Sequence, residues 1–158
     1  MDGVKALAAA LGRIPSGLFI VTIRHGDAET GLLASWVQQC SFDPPQISIA
    51  VRGDRDLLSW LTPNAAFTIN ILDDTQTDMI VHFGKGFGLN EPAFSNLDVD
   101  RPGGAPPLLR EALAYLECRV VARHTAGDHD LLIGRVVAGS LLGEGHPMVH
   151  VRKSGMHY

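Results

Sequence analysis

The spacing of apolar positions changes several times along the chain, and each change marks a new element. Val4, Leu7, Ala8, Leu11 and Ile14 fall at the i, i+3, i+4, i+7 spacing of an amphipathic helix over residues 3–14. Pro15 and Gly17 stop it. The run Leu18-Phe19-Ile20-Val21-Thr22-Ile23 is too short for a good helix and rich in β-branched and aromatic types, which predicts a strand buried on both faces. Gly26-Asp27 and Gly31 mark a connection, and Leu32 to Phe42 reads as the next strand, ended by Pro44-Pro45. From Gln46 to Arg52, Ile47, Ile49 and Val51 alternate with Ser48 and Ala50, a strand period of two. Asp54 is placed to cap a short helix that runs through Leu61 and ends before Pro63.

Further along, Ala66 to Leu72 reads as a strand, and Thr75 to Phe83 has helical period, terminated by Gly84 and Gly86. Residues 84–107 hold five glycines and four prolines, which predicts a long ordered loop. Ala114 to His124 alternates again, Ala126-Gly127-Asp128 turns the chain, and His129 to Leu142 reads as its long partner strand. Met148 to Arg152 is a last short strand. Strands dominate, and the βα alternation of a doubly wound sheet is absent, as are G-x-G-x-x-G and Walker A patterns. A closed or nearly closed antiparallel barrel follows, because closure removes exposed sheet edges.

Composition narrows the classes. With 158 residues, a single domain is expected. Hydrophobic residues at 46% and charged residues at 19% are those of an ordinary globular chain. A net charge of −4 without a basic block argues against a nucleic-acid partner. No run approaches the roughly 20 apolar residues of a membrane span, and Met1-Asp2-Gly3 lacks a secretory pattern. Cys40 and Cys118 are too few and too distant for a disulfide scaffold or a cysteine zinc site, so a cytoplasmic setting is expected.

Chemistry concentrates in three places. In Leu33 to Phe42, Ser35, Gln38, Gln39 and Ser41 interrupt the apolar pattern, and small Ala34 and Ser35 let a planar ring approach the backbone. Backbone N–H and C=O groups with Ser and Gln side chains suit a heterocycle edge bearing both donors and acceptors; the plainer alternative is the polar face of an edge strand. Arg52-Gly53-Asp54-Arg55 opens a helix after a strand and suits a phosphate, or is a solvated turn. Gly127-Asp128-His129 puts a histidine at a hairpin tip, facing either a pocket or solvent. The seven histidines show no HExxH or other tight pairing with a carboxylate, so no metal is expected, and no G-x-S-x-G elbow supports a nucleophilic serine.

Taken in order, five pieces give a resemblance: Gly17 to Thr22, Leu33 to Phe42 with Asp43-Pro44-Pro45, Phe67 to Leu72, Gly127-Asp128-His129, and the tail His150 to Tyr158. Together they resemble the flavin reductase-like family of FMN-binding split barrels from about Leu11 to Tyr158. The wording Leu33 to Gln39 is most similar to the C-terminal flavin reductase domain of flavodiiron proteins. The resemblance implies a mainly β, six-stranded antiparallel Greek-key split barrel with short flanking helices, usually a homodimer, with flavin at the barrel rim near the dimer interface. It implies FMN, with FAD as the alternative, held by Leu33, Ala34, Ser35, Trp36, Gln38, Gln39, Ser41, Arg52 and Arg55. Ala34, Ser35 and Trp36 would face the ring, Gln39 and Ser41 the ribityl-phosphate end, and His129 the nicotinamide. The implied reaction is hydride transfer from NADH or NADPH to flavin, with an oxygenase or other electron-acceptor protein as onward partner. The chain is either free-standing or an excised domain. Two other readings remain beside it: a flavin-binding electron-transfer module without its own nicotinamide site, and a split-barrel binding protein without redox activity.

Overall fold

The computed structural model describes residues 2–158. Helix α1 (Gly3–Leu11) starts at Asp2, whose carboxylate accepts from the Val4 N–H and satisfies one unpaired donor of the first turn. It is shorter than the expected 3–14, and its apolar stripe is no core face: Val4 and Leu7 are exposed and none of its residues is buried. After a two-residue strand β1 (Ser16–Gly17) come β2 (Phe19–His25), β3 (Ala28–Ala34), β4 (Val37–Phe42) and β5 (Pro45–Arg52). A 3₁₀ turn, Asp56–Trp60, leads to β6 (Ala66–Ile71) and helix α2 (Thr77–Gly84). The expected Asp54 cap is not formed. The turn begins after Arg55 without a side-chain cap, and the Asp54 carboxylate lies instead 3.5 Å from Arg52 Nε. Short strands β7 (Val99–Asp100) and β8 (Leu108–Leu109) lie in the long connection, followed by β9 (Ala114–Ala126), β10 (His129–Leu141) and β11 (Val149–His150).

The main sheet runs β3-β2-β6-β9-β10-β5-β4 with antiparallel neighbours, seven strands where six are expected. The additional strand arises at Ser35-Trp36, where the segment expected as one strand breaks into β3 and β4. β3 pairs with β2 and β4 with β5, so the two pieces lie at opposite edges of the sheet while a two-residue link joins them. So short a link brings the edges together and curls the sheet into a split barrel. The Trp36 C=O accepts from the Ala50 N–H at 3.0 Å, tying the link to β5.

The run through β2 is apolar on both faces because each face meets a separate core. Val21 and Ile23 point into the barrel with Ile49, Phe67, Ile69 and Leu132. Ile20 points outward, to a second cluster with Leu72 just after β6, Phe83 of α2, and Phe94 and Leu109 of the long connection. Polar groups fasten that connection to the barrel. Asn70 Nδ2 donates to the Ile20 C=O at 3.0 Å while its Oδ1 accepts from the Leu109 N–H at 2.8 Å. Thr22 Oγ1 donates to the Pro107 C=O at 2.6 Å. The loop expected over 84–107 is thus ordered, with Ala93 and Phe94 buried.

β9 and β10 form a long hairpin closed by Gly127-Asp128, and Gly127 supplies the positive φ, +60°, that a two-residue loop favours. Register shifts between Ile133 and Gly134 and between Val136 and Ala138 bend the pair. The start of β9 then pairs with β6, and the start of β10 with β5. Val121 and Val137 sit at these two shifts, and both are exposed, as is Leu141 at the end of β10. No helix among the described residues is long and apolar enough to cross a membrane.

Candidate functional site

The split in the barrel opens a cleft of about 570 Å³. One wall is β3 with the Ser35-Trp36 link. Among the described residues no strand pairs with the outer edge of β3, so backbone N–H and C=O groups there remain available to a ligand. The opposite wall is the end of β5 and the turn through Arg52, Arg55 and Leu57. Phe83, Gly84, Gly86 and Phe87 form a third side, and His150, Arg152 and Tyr158 of the tail a fourth.

The cleft has an apolar and a cationic part. Leu33, Ala34, Trp36, Phe83 and Phe87 give apolar and aromatic surface. Arg52 has Asp54 as a partner at 3.5 Å, whereas Arg55 and Arg152 form no ion pair among the described residues. The Arg152 guanidinium lies 5.0 Å over the Trp36 ring, a cation–π contact. The cleft's size is that of an ordinary small-molecule site, roughly 300–1,000 Å³. Its unpaired strand edge, aromatic walls and two unpaired arginines fit a flat heterocycle with an anionic tail.

A second cavity of about 350 Å³ lies behind Trp36. Trp36, Arg52, Arg152 and Tyr158 line both spaces, whereas His129 and Asp128 line only the second. His129 is not an exposed hairpin residue. It is the first residue of β10, 8% exposed, and both ring nitrogens are hydrogen bonded. Nδ1 lies 2.7 Å from Asp128 Oδ1 and Nε2 2.6 Å from the Tyr158 hydroxyl. The hydrogen bond from His129 is the main cause that holds the Asp128 carboxyl below the usual range. Burial pushes the Tyr158 hydroxyl up, while Arg55, Arg152 and Arg52 pull the other way.

Of the expected site residues, the fold gathers Leu33, Ala34, Ser35, Trp36, Arg52 and Arg55 around one cleft. Gln38, Gln39 and Ser41 lie outside it on β4 beyond the break, where Gln38 and Gln39 are exposed and Gln39 Nε2 donates to the Ser41 C=O at 3.3 Å. Sequence reasoning assigned no role to Arg152, Tyr158, Phe83 or Phe87. The tail was legible as a motif, but which ring it packs against depends on how it crosses α1 and Trp36.

The profile of the family described as "Flavin reductase like domain" matches residues 11–157. The chain belongs to the flavin reductase-like family. A "Putative diflavin flavoprotein A 3" of Synechocystis sp. is 40% identical over 150 residues, 94% of this flavin reductase-like chain and 25% of that protein. A protein of the same description from Nostoc sp. is 39% identical over 100% of this chain and 29% of its own length. The chain therefore spans about a quarter of the length of these curated relatives. Among solved structures, the NADH:FAD oxidoreductase SgcE6 of Streptomyces globisporus C-1027, in complex with NAD and FAD fragments, superposes with a TM-score of 0.81 at 25% identity, covering 93% of this chain and 86% of that one. The styrene monooxygenase flavin reductase SMOB of Pseudomonas putida S12 shares the fold, with a TM-score of 0.76 at 23% identity over 90% of both chains.

Proposed function

We propose that this flavin reductase-like chain binds FMN in the split of its barrel and passes hydride to it from NADH or NADPH. The observation that carries the reading is the unpaired edge of β3 facing an aromatic cleft with unpaired arginines. The β3 edge and the Ser35-Trp36 backbone hydrogen-bond the heterocycle's polar edge, and small Ala34 and Ser35 permit the approach. Arg55 and Arg152, with Arg52, receive the phosphate. A bound flavin supplies the two-electron acceptor; the protein's task is to orient the nicotinamide and exclude water. FAD is the alternative, the second cavity offering room for a longer nucleotide. His129 orients the nicotinamide, and the onward partner is an oxygenase or another electron-acceptor protein. The complex of SgcE6 with NAD and FAD fragments supports the pairing of the two nucleotides.

A second reading, an electron-transfer module without its own nicotinamide site, is favoured by one observation: Tyr158 already occupies His129 Nε2. Rapid mixing of the FMN-loaded protein with NADH or NADPH separates the two. Bleaching of the flavin absorbance supports the reductase, and no bleaching with either nucleotide leaves the electron-transfer module. The phosphate placement has its own test. Arg55→Glu is expected to weaken FMN far more than riboflavin, which lacks the phosphate, as read by fluorescence titration. Equal losses for the two ligands would remove Arg55 from the phosphate site.

A further inference from the structure

Residues 152–155 are strapped to the C-terminal part of α1 and the turn after it, while the residues after them are not. The Arg152 N–H donates to the Gly12 C=O at 3.3 Å, Arg13 Nη2 to the Arg152 C=O at 2.6 Å, and the Gly155 N–H to the Ala8 C=O at 2.7 Å. The contact is close enough to need two glycines. A Cβ on Gly155 would meet the Leu11 Cβ at 2.1 Å, and one on Gly12 the Arg152 oxygen at 2.5 Å. Past this strap Met156, His157 and Tyr158 are exposed, Tyr158 at 66%. The Tyr158 hydroxyl nevertheless reaches His129 Nε2 at 2.6 Å, and its ring lies 5.8 Å from that of Trp36.

The hydrogen-bond sense follows from the chemistry. An ionised Asp128 only accepts, so His129 Nδ1 carries the proton and donates to it. In the neutral form of the ring Nε2 is then an acceptor, and the tyrosine hydroxyl donates to it. A primary carboxamide offers the same kind of donor through its NH₂ group. Tyr158 lines both the cleft and the cavity holding His129, so its ring is part of the boundary between the two spaces.

We propose that Tyr158 is a displaceable partner of His129, a positioning residue that holds Nε2 until the carboxamide of a nicotinamide takes its place. The proposal rests on the reductase reading above. Tyr158 competes with the nucleotide, so removing its hydroxyl favours binding. One neutral hydrogen bond of about 0.5–1.5 kcal/mol corresponds to roughly a three- to ten-fold change in affinity.

The test uses FMN-loaded wild type, Tyr158→Phe, His129→Ala and the double variant, titrated with NAD⁺ and NADP⁺, which do not react with oxidised flavin. Tyr158→Phe is expected to bind one of them about three- to ten-fold more tightly, and the gain to vanish in the His129→Ala background. In ¹⁵N-histidine spectra the Nε2 resonance of His129 is expected to shift in Tyr158→Phe without nucleotide, and to return toward its wild-type position when nucleotide is added. Unchanged or weaker binding by Tyr158→Phe, with wild-type flavin still bleached by NADH or NADPH, overturns this proposal and leaves the reductase reading standing. No binding to wild type or variant, with no bleaching, overturns both.

Discussion

Two cysteines of one chain meet opposite surroundings. Cys40 is exposed on the edge strand β4, while Cys118 is buried in the barrel core. Burial, with a smaller push from the Glu117 charge, raises the Cys118 thiol to about 12 from its ordinary 9.0. The folded protein keeps this proton where the unfolded chain releases it. Its contribution to stability is therefore complete below about 9 and is lost as pH rises from there toward about 12. Cys118→Ala lacks that loss. The stability gap between wild type and Cys118→Ala, measured by urea unfolding, is expected to narrow by about 1.4 kcal/mol between neutral pH and a pH one unit above the unfolded thiol's own. A gap independent of pH would show that the thiol titrates in the folded barrel.

At the scale of elements, the long connection owes its order to side chains of the strands beneath it. Asn70 is fully buried and bonds in two directions, to β2 through Ile20 and to β8 through Leu109. Replacing it with Ala strands the buried Leu109 N–H, costing about 1–3 kcal/mol, and removes a second bond to the Ile20 C=O, worth about 0.5–1.5 kcal/mol. Asn70→Ala is expected to lower stability by about 2–4 kcal/mol in denaturant unfolding and to raise hydrogen exchange at Leu109 first. A loss spread evenly over β2, β6 and the connection would deny Asn70 this fastening role. The same connection supplies Phe87 to the cleft, so its anchoring bears on the site as well as on stability.

The whole molecule leaves an apolar surface uncovered. Val137 at the second bend of β10 and Leu141 at its end are exposed, Leu141 at 76%, and Phe42 stands out at the same end of the sheet where Gln46 of β5 pairs with Arg135. We propose a two-fold dimer through this end, since isologous contact covers such a patch on both copies at once. Light scattering at micromolar concentration is expected to give twice the monomer mass, and Leu141→Lys to return the monomer. A monomeric wild type would defeat the proposal.

The sequence by itself determined most of the elements, because a short-range period is written in neighbouring residues. The alternation in Gln46 to Arg52 and the doubly apolar run around Ile20 became β5 and β2 nearly as expected. It also determined the family, through motifs in order along residues 11–157. Tertiary structure alone decided the break at Ser35-Trp36. That break arises because β3 and β4 find different partners, β2 and β5, which no local pattern encodes. The same break turned Gln38, Gln39 and Ser41 away from the cleft that Leu33 to Trp36 line. Tertiary structure alone also decided that His129 is buried rather than at a free tip, because Tyr158, 29 residues on, reaches it only once the tail is strapped to α1. Contacts between residues far apart in sequence are set by packing and close approach, as of Gly155 on Leu11, and a linear pattern carries no record of them.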